Sequence, residues 1–386
     1  MSQDCAGGRY IMPIFSNVVK TSAVPFGSNI GVNGSPQVLY MDVYEPQGDP
    51  LDDRPVAIVA FGGSFVAGGR GDVELLCREF AKRGYVAVAP DYRVGQFTIT
   101  AFNTMEAVMR GTHDMKACVR YLRRSVAELA DPYRIDTSRI LIGGVSAGAI
   151  SALHATYLDD EGEMPDLLAP IAEQIGGVEG NSGNEGYSSS VLGCFNYSGA
   201  IADTSWIDAG DPPLVSVHEN GDPIVPYLTA PVTVNGIPAG LMASGSHDIH
   251  LRMENAGIEH CLLTYIAGTH VGYLLTDPFG ALDHVVEFNA ALVCEEDAYC
   301  GMIVSEVEES DLEIKPLQVF PSLAADRIFV LTEHTTTAHL FDMEGRSLTS
   351  MRLSTGKNMI DVGALANGTY LLRTSENLTA RFVILK

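Results

Sequence analysis

The chain predicts an α/β sheet covered by helices on both faces over about its first 290 residues, followed by a small all-β module. Three observations carry this. Apolar runs such as Pro55 to Phe61 and Tyr85 to Ala89 lack polar alternation, as strands buried on both faces do. Those runs alternate with segments of helical period. From Ile314 onward the helical period stops and only a two-residue period remains.

Residues 5 to 50 read as short strand pieces between Gly, Asn and Pro turns, with Val38 to Tyr44 the clearest. Val73 to Arg83 reads as a helix ended by Gly84. Ala101 to Leu129 holds one long amphipathic helix, with Met105, Val108, Met115, Val119 and Leu122 at helical spacing. Arg139 to Gly143 is a buried strand, and Ile150 to Leu158 a helix. Residues 159 to 190 are loop-rich. Val191 to Tyr197, Pro213 to Val217 and Cys261 to Ile266 read as strands, and Asp248 to Asn255 and Phe279 to Leu292 as helices. The expected boundaries are a catalytic domain over 1–298, an acidic linker over 299–313 and a β-rich module over 314–386. Glu295 to Glu313 carries eight acids and no Lys or Arg, which marks a solvated stretch; a calcium site is the minor alternative.

The 386 residues, 46% of them hydrophobic, are enough for a sizeable core. A net charge of −24 argues against nucleic acid or anionic membrane as partners, because both would be repelled. No apolar run reaches the roughly 20 residues a membrane helix needs. The first residues have neither a basic n-region nor an apolar h-region, so export implies a leader already removed, with Met1 an added residue. The seven cysteines leave at least one unpaired. Cys294 and Cys300 read most easily as a local disulfide, and Cys194 and Cys261 as buried thiols.

Gly144-Val-Ser146-Ala-Gly148 matches G-x-S-x-G between a buried strand and a helix, the context of a nucleophile elbow. A serine hydroxyl is a weak nucleophile near neutral pH; it needs a base, and the base an orienting acid. Asp222 lies 76 residues on, in a turn after a buried strand, and His270 a further 48, again in a loop after a strand. The order Ser, Asp, His is that of the α/β hydrolases. Asp203, Asp208 and Asp211 precede the strand, and His218 lies within it. His247 and His250 read as surface histidines of a helix rather than a metal pair. His260 precedes its strand, and His284 sits in the last helix. Phe61-Gly62-Gly63-Ser64-Phe65 leaves a buried strand as a Gly-rich loop able to aim backbone amides at a developing oxyanion.

That segment resembles the H-G-G-G-F loop of the carboxylesterase and hormone-sensitive-lipase branches of the α/β hydrolases, with Phe61 in place of histidine or tyrosine and Ser64 in place of the third glycine. Pro90-Asp91-Tyr92-Arg93 is similar to that branch's D-Y-R, and the elbow to its G-x-S-A-G. The resemblance implies an α/β-hydrolase fold. It implies Ser146, Asp222 and His270 as catalytic residues, and an oxyanion hole from the amides of Gly63, Ser64 and Ala147. No metal or organic cofactor is implied. Residues 159–190 fall where such families insert cap elements. The C-terminal module, by Val319 to Val330, Phe341 to Gly345, Asp361 to Leu365 and Gly368 to Tyr370, resembles the sorting domain of proteins exported by the type IX secretion system of Bacteroidetes, with Pro321-Ser-Leu for the usual P-N-P. It implies a partner in the secretion machinery and an extracellular or outer-membrane location. Without the resemblance, a sugar- or surface-binding module remains open. The expected function is a secreted serine carboxylesterase for short- to medium-chain acyl or aryl esters. Acetyl or feruloyl esters on polysaccharide and aromatic polyesters are alternatives, as are a non-catalytic binding protein of the same fold and a peptidase.

Overall fold

The computed structural model describes residues 3–96, 98–305, 317–320, 323–324, 326–332, 334–342, 347–374 and 378–386. The chain divides into two compact units, 1–306 and 307–386.

The larger unit is an α/β fold built on a nine-stranded, mostly parallel sheet. In chain order its elements are β1 (Val18–Ile30), β2 (Pro36–Pro46), β3 (Arg54–Ala60), α1 (Glu74–Lys82), β4 (Val86–Pro90), α2 (Ala101–Glu128), β5 (Ile135–Val145) and α3 (Ala147–Tyr157). They continue with α4 (Ala172–Ile175), β6 (Gly193–Tyr197), β7 (Ala200–Ile201), β8 (Leu214–Glu219), β9 (Thr229–Val234), β10 (Ile237–Gly245), α5 (Ser246–Ala256), β11 (His260–Tyr265), α6 (Tyr273–Thr276), α7 (Pro278–Val293) and β12 (Gly301–Ser305). The sheet order is β1-β2-β4-β3-β5-β6-β8-β11-β12. β1, β2 and β4 pair antiparallel in turn, and every later pairing is parallel.

Every residue of β3, β4, β6 and β8 is buried. Both faces of the sheet are therefore covered, as the unalternating apolar runs require. α2 and α3 pack on each other, and Arg83 after α1 reaches Asp283 of α7 at 3.1 Å.

Three expectations are revised. The short pieces over 5–50 prove to be one long hairpin, β1 and β2, with register shifts at Thr21/Val24 and Pro25/Gly27. Residues 301–305, read as linker, form β12, paired parallel with β11 through Cys261 opposite Gly301; the rest of the acidic run, 306–313, lies outside the described residues. The Cys294–Cys300 link is replaced by Cys5–Cys294 and Cys261–Cys300. The cause is the extra strand: β12 carries Cys300 beside β11 and its Cys261, so Cys261 is no free thiol. Cys294, at the end of α7, meets the N-terminal 3-10 turn, Gln3–Gly8. Cys77, Cys118 and Cys194 are buried free thiols.

The smaller unit is all β. β13 (Gln318–Phe320), β15 (Arg327–Thr332) and β18 (Gly356–Asp361) form one sheet. β14 (Leu323–Ala324), β20 (Thr379–Ile384), β19 (Gly368–Thr374), β16 (Thr336–Asp342) and β17 (Ser347–Leu353) form the other. Ile328, Val330, Leu340, Leu372, Phe382 and Ile384 share its separate core. Alternating burial along β15 is the two-residue period seen in the sequence. Pro321, Ser322 and the turn through Gly345 lie outside the described residues.

Peptide mapping without reduction is expected to recover the 5–294 and 261–300 links, and a 294–300 peptide would contradict this topology. Removing the long-range bridge as Cys5→Ser/Cys294→Ser is expected to cost about 2–4 kcal/mol in urea unfolding.

Candidate active site

Ser146 occupies the turn between β5 and α3 with φ 54° and ψ −118°, a strained conformation for a residue bearing a Cβ. The turn closes because its neighbours are glycines. A Cβ on Gly144 would lie 2.6 Å from Ala60 O, and one on Gly148 2.4 Å from the same atom. The main chain of β3 thus passes directly under the elbow. Ser146 N donates to Tyr197 O at 2.8 Å, tying the turn to β6.

His270 Nε2 stands 2.8 Å from Ser146 Oγ, and His270 Nδ1 2.6 Å from Asp222 Oδ2. The structure brings together these three residues from points 76 and 48 positions apart. Asp222 sits in a turn after β8, where its Oδ1 accepts the amides of Ile224 at 2.8 Å and Val225 at 3.0 Å. Its side chain is fully enclosed, and that of His270 is 18% exposed. Burial by itself raises the Asp222 carboxyl. Hydrogen bonds from His218, then His270 and the Ile224 amide, outweigh it and hold the group well below the ordinary carboxylate range. The His270 loop is fastened by Thr269, whose hydroxyl donates to Glu219 Oε1 at 2.7 Å.

The Gly-rich loop lies against the elbow: a Cβ on Gly62 would stand 3.3 Å from that of Ser146. Gly63, Ser64 and Phe65 all have positive φ, 123°, 55° and 59°. Successive residues of this kind fold their amides into a concave cradle. Ser64 thus takes up the backbone form that a glycine would adopt freely. Ala147 is the first residue of α3, so its amide has no partner within the helix. Ser64 and Ala147 line one cavity with Ser146, while Gly63 lines the adjoining cleft with Val145. Pro90-Asp91-Tyr92-Arg93 braces this loop. Tyr92 OH donates to Phe61 O at 2.8 Å and its ring stacks on Phe61 at 4.3 Å. Asp91 pairs with Arg70, and Arg93 pairs with buried Asp114 at 2.9 Å.

The cavity beside Ser146 measures about 80 Å³, room for several water-sized groups. Its walls are apolar, among them Phe65, Met105, Val108, Ile150, Leu241 and Met242. Part of its cover is a hairpin that the sequence reading missed: β9 and β10, which with β7 form a separate three-stranded sheet. The signal was present, because Asn235-Gly236 between alternating segments is a strong hairpin sequence. Residues 159–190, expected to supply the cap, instead place 162–167 in a neighbouring surface cleft. Further along, Ser182 O accepts the Ser28 amide of β1 at 3.0 Å and Glu179 pairs with Lys116 and Arg120 of α2. His250, read as a surface residue, is fully buried, as are His218 and His260.

Residues 41–185 match the BD-FAE family model, and residues 318–385 the model described as a secretion system C-terminal sorting domain. No curated protein matches the chain. Among solved structures, esterase 2 of Thermogutta terrifontis phosphorylated by paraoxon is 20% identical with a TM-score of 0.48, covering 69% of this chain and 94% of that one. The propionate-bound form of that Planctomycetes esterase is 22% identical with a TM-score of 0.46, covering 70% and 93%. The larger unit thus carries an esterase-like family match over residues 41–185. The smaller unit carries the match to a secretion-system sorting domain.

Two outcomes follow from this geometry. Gly148→Ala forces a Cβ against Ala60 O and is expected to cost about 1–3 kcal/mol in urea unfolding; unchanged stability would show that the elbow has slack. His154, in the cavity wall, is pushed down to about 4, by burial first, against a raising hydrogen bond to Ile150 O. The unfolded chain accepts that proton near 6.5, so the histidine's contribution is full above pH 6.5 and is lost as pH falls toward 4. The loss amounts to about 3 kcal/mol. Stability in His154→Gln should fall less steeply over that interval, and an identical pH profile would refute the assignment.

Proposed function

We propose that this esterase-type α/β hydrolase is a serine carboxylesterase acting outside the cell on esters of short acyl groups, soluble or borne on a polymer. The observation that supports this best is the unbroken pair of hydrogen bonds from Ser146 through His270 to Asp222. In the first half-reaction Ser146 Oγ attacks the ester carbonyl while His270 Nε2 takes its proton. Asp222 keeps the other imidazole proton on Nδ1 and offsets the charge of the imidazolium. The oxyanion forms toward the amides of Gly63, Ser64 and Ala147, fixed dipoles that need not reorganise as charge develops. Collapse expels the alcohol, which receives the proton from His270. Water, deprotonated by His270, then attacks the acyl-enzyme and releases the acid.

The cavity volume argues for short acyl chains. The small volume and apolar walls of this cavity suit an acetyl to butyryl chain. The hairpin β9–β10 forms the wall that sets this limit. We further propose 1–305 as the catalytic body and the region from 317 onward as the sorting module.

Ser146→Ala is expected to lower kcat on p-nitrophenyl acetate by about 10³-fold or more. Wild type should prefer acetate and butyrate over octanoate by at least about tenfold in kcat/KM. Equal rates for Ser146→Ala and wild type would make the elbow structural, and a preference for octanoate would refute the acyl-pocket assignment.

A further inference from the structure

A run of buried polar side chains leads away from the acid of the triad, and the mechanism above does not use it. Asn196, Ser216, His218, Ser246, His250 and His260 are all fully buried. Asn196, on β6, is its centre. Asn196 Oδ1 accepts the Gly199 amide at 2.6 Å, so the orientation of the side-chain amide is settled and its Nδ2 must donate. Nδ2 lies 3.0 Å from Ser246 Oγ and 3.0 Å from Ser216 Oγ.

Each arm then has one consistent direction. Ser246 Oγ accepts from Asn196 and donates to His218 Nδ1 at 2.7 Å. The His218 proton is therefore on Nε2, which faces Asp222 Oδ2 at 3.4 Å and Val225 O at 3.3 Å. In the other arm Ser216 Oγ donates to His250 Nε2 at 2.7 Å. His250 Nδ1 donates to His260 Nδ1 at 3.0 Å, and His260 Nε2 to Glu254 Oε2 at 2.9 Å. Each arm ends on a carboxylate, one of them the acid that serves His270.

We infer that His218 is a positioning residue for Asp222: it donates to the carboxylate oxygen that also accepts from His270, and Ser246 and Asn196 hold it in the tautomer able to do so. Asp222 Oδ1 is already held by two backbone amides. Oδ2 accepts from His270 at 2.6 Å, and His218 Nε2 stands 3.4 Å from it with its N–H shared toward Val225 O at 3.3 Å. Without His218, His270 alone would orient that oxygen, and the carboxylate could turn as the imidazole moves between Ser146 and the leaving group. With it, the carboxylate plane is fixed from the buried side. His218 touches no reacting atom and acts through Asp222 alone. The assignment rests on the triad proposed above.

The test compares wild type, His218→Leu, His218→Gln and Ser246→Ala by kcat and KM on p-nitrophenyl acetate, with thermal unfolding and fluorophosphonate labelling of each. His218→Leu should lose about 10- to 100-fold in kcat with little change in KM, the loss of one hydrogen bond to a charged group. His218→Gln returns an N–H near the Nε2 position and should recover most of that loss while remaining as destabilised as His218→Leu. Ser246→Ala frees the tautomer and should cost about 3- to 10-fold. A merely structural residue would not separate Leu from Gln in kcat at equal stability. Equal kcat in those two variants would overturn the inference, and so would full activity in His218→Leu. Should His218→Leu fail to fold, unchanged kcat in Ser246→Ala overturns it. Wild type with neither turnover nor label on Ser146 would remove the triad itself; an active wild type indifferent to His218 removes only this inference.

Discussion

The turn at Ser146 exists because nothing heavier than hydrogen projects from Gly144 and Gly148. Those two residues let the carbonyl of Ala60 pass beneath the elbow at a distance no side chain would tolerate. The same strand runs straight on into Gly62 and Gly63. One backbone crossing therefore sets both the height of the Ser146 hydroxyl and the position of the amides facing it. A rigid sheet, buried on both sides, carries that crossing. The strain at Ser146 is sustained by the packing around it, which is where backbone strain is commonly found in enzymes.

The second constraint is a charge. Asp222 is a carboxylate with no exposed side-chain surface, in a chain whose formal net charge is −24. A buried charge is tolerable only with donors on its lone pairs. Two amides and the His270 imidazole supply them, with the His218 imidazole close beside. Much of the polar interior around β6, β8 and α5 follows from this need: serines and an asparagine sit in runs that otherwise read as core. Their presence costs packing energy, and the directional hydrogen bonds they form offset it.

Much of this was legible in the sequence. β3, β4 and β8 announced themselves as continuous apolar runs because both their faces are covered, and Ser146, Asp222 and His270 could be located from the ends of such runs. The β9–β10 hairpin was harder, since its short, partly exposed strands alternate only weakly; Asn235-Gly236 was the clear mark. The disulfides were not legible. Cys5 and Cys294 are 289 residues apart, and the Cys261–Cys300 pairing depends on β12, whose five residues continue an acidic stretch that reads as linker. The role proposed for His218 was hidden for a related reason. Within a buried strand, sequence alone does not distinguish a satisfied core histidine from one turned toward a catalytic acid.

The central claim is that Ser146 is made nucleophilic by His270 and Asp222. Intact mass and peptide mapping after brief exposure to a fluorophosphonate test this directly. A single adduct on Ser146, formed quickly in wild type and lost or slowed at least about 10³-fold in His270→Ala, is the predicted result. An adduct on another serine, or labelling of Ser146 at the same rate without His270, would contradict it.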